Sequence, residues 1–455
     1  MVKHYFCILR ILIKLMGTLI QIAQLILCLS FLVILHELGH FLPAKYFKTK
    51  IDKFYLFFDP YFSLFKTKIG ETEYGIGWIP MGGYVKIAGM IDESMDKEQL
   101  KQEPQPWEYR SKPPYQRLII ICGGVIVNFF LSWIIYSCLL FNNGDNYVDN
   151  TKFTNGIAVD SVGNLVGLKS GDKILKVDGK AQTKFDQLPL EILFGDNVTV
   201  NRDGKEITFN LNDEGKRDVI KGKGQGFLVP RVETVVDSVM PKSPAMTAGL
   251  LKGDKIVGLN GSKTQFFDQF GLALNKVKKD SIAINIIRNG QEMTLKTKAD
   301  KDGKIGFYPS MELLKSAFVT KSLSVSEAIP AGFNKTIATL TGQIKQFKLI
   351  FNTKTEGYKQ VSGPLRMFKI FKPTWDWTFF WSFTAMFSIW LAFLNILPIP
   401  GLDGGHAMFI LIEVITRKKP TEKTLEIAQT IGVVILLSLM ALVFGNDIWH
   451  LITDK

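Results

Sequence analysis

The sequence predicts a polytopic α-helical membrane protein. It should have about four transmembrane helices, a β-hairpin at the membrane edge, and two copies of a small α/β module inserted between the second and third spans. Three observations lead there. Hydrophobic residues make up 47% of the 455, and they gather into runs of the length that crosses a hydrocarbon core, about 20 residues. A long polar stretch separates the second run from the third. Within that stretch one glycine-punctuated segment occurs twice.

The runs are Gly17 to Leu35, Leu118 to Phe141, Phe379 to Leu397 and, slightly shorter, Ile427 to Phe444. They divide the chain into a first span within residues 1–40, a loop carrying the hairpin at 41–117, and a second span at 118–141. The paired modules follow at 152–225 and 226–310, then a linker and juxtamembrane segment at 311–374. A third span at 375–410 and a loop with the fourth span at 411–455 complete the chain. Lys3, Arg10 and Lys14 ahead of an apolar run imitate a signal peptide. No A-x-A-like site follows and the run is too long, so it reads as an uncleaved span.

Lys45, Lys48, Lys50 and Lys53 follow the first span, Arg110, Lys112 and Arg117 precede the second, and Arg417, Lys418, Lys419 and Lys423 lie in the last loop. The positive-inside tendency makes these loops cytoplasmic and leaves both termini and the large insert outside. Arg10, Lys14, Arg366, Lys369 and Lys372 pull the other way. The net charge of +13 is scattered through loops, with no basic helix or nucleic-acid motif, which excludes nucleic acid and points to anionic lipid headgroups. Cys7, Cys28, Cys122 and Cys138 all sit in apolar runs without a CxxC, which excludes a disulfide framework and a cysteine metal site.

Tyr74 to Gly89 reads YGIGWIPMGGYVKIAG. This partly alternating, glycine-rich stretch predicts a β-hairpin, either dipping into the membrane edge with its backbone satisfied by protein or water, or lying on the surface. The repeat pairs Val159-Asp160-Ser161-Val162 and GLKSGDKILKVDG, ending at Gly179, with Val236-Asp237-Ser238-Val239 and GLLKGDKIVGLNG, ending at Gly261. Each copy predicts a strand, a small helix ending in glycine, a Gly-Asp turn and a strand closed by Asp-Gly or Asn-Gly. The pattern resembles PDZ domains, the tandem pair of bacterial envelope proteases in particular. That implies peptide ligands added as a strand at a sheet edge; steric spacers that bind nothing are the alternative.

Of five histidines, two form His36-Glu37-Leu38-Gly39-His40 at the end of the first run. On a helix, positions i and i+4 share a face, so both imidazoles reach one metal ion with Glu37 beside it. Ionisable groups at the end of an apolar span are costly and need a functional reason. A tetrahedral catalytic zinc takes a third protein ligand, and Tyr46 stands where a metzincin would place a histidine. Asp403, in the segment Leu394 to His406 that ends the third run, is the best candidate. The first and third spans run in the same direction, so their C-terminal ends emerge at one face. Pro398 and Pro400 break the helix there, and Gly404-Gly405 allows close backbone approach. His406 is either a spare ligand or a packing and hydrogen-bonding residue. The ligand types would also accept cobalt or manganese.

HExxH ending the first span, LDG after the third and paired modules between spans two and three resemble the site-two protease family of intramembrane zinc metalloproteases, its bacterial members above all. Pro80-Met81-Gly82-Gly83-Tyr84-Val85 resembles the family's membrane-edge hairpin, and Gly124-x-x-x-Asn128 its second-span motif; Lys112-Pro113-Pro114-Tyr115-Gln116-Arg117 fits as well. The extra basic N-terminal residues and the module loops depart from the better-known members. The resemblance implies one Zn2+ per chain on His36, His40 and Asp403, Glu37 as catalytic acid/base, and Asn395 holding the substrate backbone. Substrates are then transmembrane segments of single-pass membrane proteins, such as a pre-trimmed anti-sigma factor. They unwind before attack, pairing near Gly82 and Gly83 while Asn395 and Asn128 satisfy freed backbone groups. The expected location is a bacterial inner membrane, with PDZ-like modules in the periplasm and the active site toward the cytoplasm. A membrane scaffold working through its PDZ-like modules, with a non-catalytic metal site, is the alternative; a transporter is disfavoured because the halves show no repeat.

Overall fold

A computed structural model describes residues 2–90, 103–223, 226–277, 281–300, 303–360, 363 and 367–453. Arg366 lies outside the described residues, as do the side chains of Lys3, Cys7 and Arg10. The chain divides into two units. The first comprises Met1–Gly144, Ser322–Phe347 and Val361–Lys455, and the second Asp145–Lys321 and Lys348–Gln360.

Among the described residues, the first unit is built on six helices: α1 (Val2–Tyr46), α2 (Pro114–Asn143), α3 (Val325–Phe351, whose last turn belongs to the second unit), α4 (Trp377–Ile396), α5 (Asp403–Thr416) and α6 (Glu422–Thr453). Four contain segments long and apolar enough to cross a membrane: Leu12–Tyr46, Pro114–Asn143, Trp377–Ile396 and Lys423–Trp449. Local chemistry sets the ends. Pro114 occupies the first turn of α2, where a missing N–H costs nothing. The Asp376 carboxylate caps α4 by accepting from the Phe379 N–H at 2.9 Å. Gln21 and Gln24, polar inside the first apolar run, donate to the carbonyls of Phe371 and Lys372 at 2.6 and 3.0 Å. They fasten the loop that enters α4.

Three expectations need correction. First, the metal motif does not end a helix: α1 carries HExxH inside it and runs on to Tyr46, stopping where Lys48 takes a left-handed φ of 55°. Second, the third span and LDG form two helices. Chain from Leu397 to Leu402, with Pro398 and Pro400, ends α4, and Asp403 opens α5. Third, residues 311–374 are no plain linker, since α3 fills 27 of them. It lies close on α2: a Cβ on Gly332 would fall 2.7 Å from the Ser137 backbone nitrogen, and Trp133 Nε1 donates to the Ile329 carbonyl at 2.8 Å.

The expected hairpin is also rebuilt. Strands β1 (Ile51–Phe58), β2 (Phe65–Ile69), β3 (Thr72–Ile76) and β4 (Ile79–Ile87) form one sheet in the order β2-β3-β1-β4. β3 pairs with β1 in parallel, and β4 pairs with its other side antiparallel, so β3 and β4 never meet. Glycines explain the crossing. A Cβ on Gly75 would enter the Tyr55 ring at 2.2 Å, and one on Gly77 would meet the Phe58 carbonyl at 2.1 Å. The chain therefore passes over β1 instead of turning back on itself, and β4 is left as an edge.

In the second unit, two modules repeat one element order. Strand Ile157–Val159, helix Ser161–Val166, strands Lys173–Val177 and Lys180–Ala181, helix Leu188–Phe194, and strands Asn197–Arg202 and Lys205–Asn210 form the first. Val236–Val239, Pro244–Thr247, Lys255–Leu259, Ser262–Lys263, Phe267–Lys276, Ile282–Arg288 and Gln291–Thr297 repeat it. Each four-stranded sheet has the same pairing, and each module has its own core. The Gly-Asp turn has a packing role the sequence did not disclose. Asp172 accepts two hydrogen bonds from Arg202, at 2.7 and 2.7 Å, and Asp254 two from Arg288, at 2.7 and 2.6 Å. The same guanidinium groups reach the Gly167 and Gly249 carbonyls that end the small helices. Entry and exit of the insert pair with each other, Asp145–Val148 antiparallel to Phe318–Lys321.

Candidate metal centre

The centre is assembled from α1, α2, α4 and α5. Spacing on α1 puts His36 and His40 on one face, with ring centroids 4.8 Å apart and nearly perpendicular planes. Their Nε2 atoms are 3.3 Å apart, and Asp403 Oδ2 lies 3.4 Å from each. A tetrahedral zinc with bonds of about 2.0–2.1 Å separates its ligands by about 3.4 Å, which is the size of this triangle. Asp403 Oδ2 is buried and has no hydrogen-bond partner, an orphan that a cation would satisfy. Among the described residues these three form the cluster able to hold a metal, and the donor set suits zinc.

Helix α2 prepares both imidazoles. His40 Nδ1 lies 2.9 Å from the Ile120 carbonyl, so Nδ1 carries the proton and Nε2 keeps its lone pair for a metal. The Asn128 amide lies 3.2 Å from His36 Nδ1. Gly124 makes room for both rings, because a Cβ there would stand 2.5 Å from His36 Cε1 and His40 Nε2. Gly123 and Gly39 bring the two backbones together: a Cβ on Gly123 would fall 1.9 Å from the Gly39 carbonyl oxygen. The middle of HExxH thus carries a packing requirement that no chemical reading of the motif reveals.

Asn395, in the last turn of α4, places its amide 3.1 Å from His36 Nε2. Asp403 reaches the cluster because α5 starts tightly under the proline break. A Cβ on Gly404 would meet the Leu397 carbonyl at 2.2 Å, and one on Gly405 the Ile399 carbonyl at 2.5 Å. Arg117, at the start of α2, pairs with Glu413 on α5 at 2.5 Å, tying the aspartate-bearing helix to α2. The Glu37 carboxylate lies beside the Val85 N–H on β4. Gly83, also on β4, lies against α1, where an added Cβ would stand 2.6 Å from Val33.

The structure therefore gathers His36, His40, Asp403, Asn395 and Asn128, and sets Glu37 between them and β4. Gly82, with φ of 146°, packs under the Phe58 ring and is not in this cluster. Nor is His406, which lines a separate cavity with Tyr109, Arg110, Arg117 and Lys419. Sequence reasoning missed the Ile120 carbonyl, the Val85 amide and the Arg117–Glu413 tie. Backbone groups leave no signature in residue identity.

Comparison with known proteins agrees with this geometry. A family model described as Peptidase family M50 matches residues 24–439. A putative zinc metalloprotease of Neisseria meningitidis is 28% identical over 450 residues, covering 94% of this chain and 98% of that one. The regulator of sigma-E protease RseP of Escherichia coli is 28% identical, with 94% and 98% covered. A putative zinc metalloprotease of Borreliella burgdorferi is 29% identical, with 93% and 97% covered.

Proposed function

Since this chain belongs to peptidase family M50, the membrane-embedded zinc metalloendopeptidases of the site-two type, we propose that it cuts transmembrane segments of single-pass proteins in a bacterial inner membrane, with His36, His40 and Asp403 as the zinc ligands. The observation that carries the assignment is the triangle of two Nε2 atoms and one carboxylate oxygen, 3.3–3.4 Å on each side. When bound, zinc supplies Lewis acidity toward water and the scissile carbonyl. Glu37, beside the Val85 amide, takes the attacking water's proton and hands it to the leaving amine.

A transmembrane helix hides its carbonyls in its own hydrogen bonds, so the substrate must unwind. The free edge of β4 receives it. Val85 and Gly83 point their backbone groups away from β1 by the alternation of an antiparallel pair. The Val85 N–H lies beside Glu37, so Gly83 offers its N–H and carbonyl to the incoming strand. Asn395 lies beside the cluster where a freed carbonyl of the cut strand needs a donor. Stripping metal from the detergent-solubilised protein with a chelator is expected to stop cleavage of a single-pass substrate carrying glycine in its span. Added zinc should restore it. Cleavage that persists in the stripped protein, or never occurs in the zinc-loaded one, would sink the protease reading in favour of a scaffold. Equal cutting of an all-leucine span would remove the unwinding step.

The paired modules, PDZ-like in sequence pattern, act outside the membrane as a filter against bulky substrates, an anti-sigma factor trimmed by another protease being one that passes. The site itself faces the cytoplasm. Deleting residues 152–310 spares the ribbon that closes the insert, Asp145–Val148 with Phe318–Lys321. The deletion is expected to admit substrates with intact outer domains while the rate on trimmed ones stays within about tenfold, the loss that one misplaced catalytic group exceeds. A correctly inserted deletion variant that cuts nothing would contradict the filter.

A further inference from the structure

Asn128 stands out once the site is accounted for, because its side chain is fully buried and half used. It is 0% exposed, its Nδ2 lies 3.2 Å from His36 Nδ1, and its Oδ1 has no partner. With no open side, this residue is poorly placed to hold a substrate backbone, the role expected of it from the sequence. Its neighbour is instead the ring nitrogen of His36 that points away from the metal position.

The two nitrogens of a neutral imidazole have opposite roles, one donor and one acceptor. The Asn128 carboxamide stands against Nδ1. If Nε2 gives its lone pair to zinc, the proton is on Nδ1, and an NH2 facing it becomes a clash of donors. Turning the amide over, an exchange of oxygen for nitrogen at the same positions, puts Oδ1 on Nδ1–H. On the other ring the Ile120 carbonyl does this for His40. We propose, resting on the zinc-site reading above, that Asn128 is a positioning residue whose carboxamide oxygen accepts from His36 Nδ1–H and so keeps Nε2 turned to the metal position. Helix α2, which contributes no ligand, thereby orients both ligand histidines.

The test measures zinc affinity by chelator competition on full-length protein, with Asn128→Asp and Asn128→Leu beside the wild type. Aspartate keeps the acceptor and leucine removes it at similar size. Leucine is expected to weaken zinc binding roughly 10–100-fold, while aspartate stays within about threefold of wild type or binds tighter. Wild-type affinity in the leucine variant, or equal losses in both, would overturn the proposal. If the leucine variant does not insert, 15N resonances of histidine in the zinc-loaded wild type decide: a protonated Nδ1 on His36 supports it, and metal bound through Nδ1 refutes it. Neither readout needs cleavage. A protein that behaves as expected here yet cuts nothing would fail only the protease assignment.

Discussion

Replacing Glu37 with glutamine is expected to abolish cleavage while leaving the metal in place. Glu37 is not one of the three clustered ligands, so zinc stoichiometry should not change. Glutamine has the size of glutamate, and its Oε1 can still face the Val85 N–H beside the native carboxylate. The substrate edge of β4 therefore remains intact. Only the capacity to take up a proton is lost, and general acid/base catalysis contributes about 10²–10⁴-fold. The expected result is a rate drop in that range, with one zinc retained and unchanged membrane insertion. A Glu37→Gln protein cutting within tenfold of wild type would remove Glu37 from the chemistry.

A methyl group at Gly124 is expected to do comparable damage by the opposite route, through the metal. The added carbon would sit 2.5 Å from His36 Cε1 and His40 Nε2 and 2.7 Å from His36 Nδ1. Neither ring has room to retreat. His40 is tied to the Ile120 carbonyl, and His36 lies between Asn128 and Asn395. Nor can α2 approach differently, because Gly123 rests on the Gly39 carbonyl. Overpacking of this kind costs about 1–3 kcal/mol in a core. Here the strain falls on the ligands, so Gly124→Ala should lose at least about 100-fold in zinc affinity, the upper range for disturbing a ligand's support. Gly271→Ala, where an added Cβ meets nothing within 4 Å, is the control. A Gly124→Ala protein with wild-type zinc affinity would show that the rings have slack.

The spans and the three clustered side chains were legible because their signals are strong. Runs of apolar residues announce membrane helices, and the parity of the spans brings His36, His40 and Asp403 to one face whatever the loops do. Helix α3 was not legible. Pro330, Gly332, Gly342 and several lysines and threonines dilute its apolar content, and its partner face on α2 is invisible to a one-dimensional reading. The sheet order failed for a related reason. Tyr74 to Gly89 carries the composition of a hairpin, but glycines at 75 and 77 exist to let Tyr55 and Phe58 lie across them, a contact made by residues far back in the chain. The Asp-Arg pairs belong to the same class: Asp172 and Asp254 were visible as turns, while Arg202 and Arg288 looked like ordinary strand residues until the fold set them together.

The ribbon that closes the insert has a consequence for how this chain tolerates change in length. Residues Asp145–Val148 and Phe318–Lys321 are paired side by side, so the ends of everything between them are already joined in space. Lengthening a closed loop costs little free energy, only about 0.6 kcal/mol for each doubling, and here the closure is made by backbone hydrogen bonds. The enclosed sequence is then a cassette. A module added, lost or exchanged for a foreign domain with neighbouring termini would meet the same two strands, and the residues before and after them would carry no record of what had been inserted.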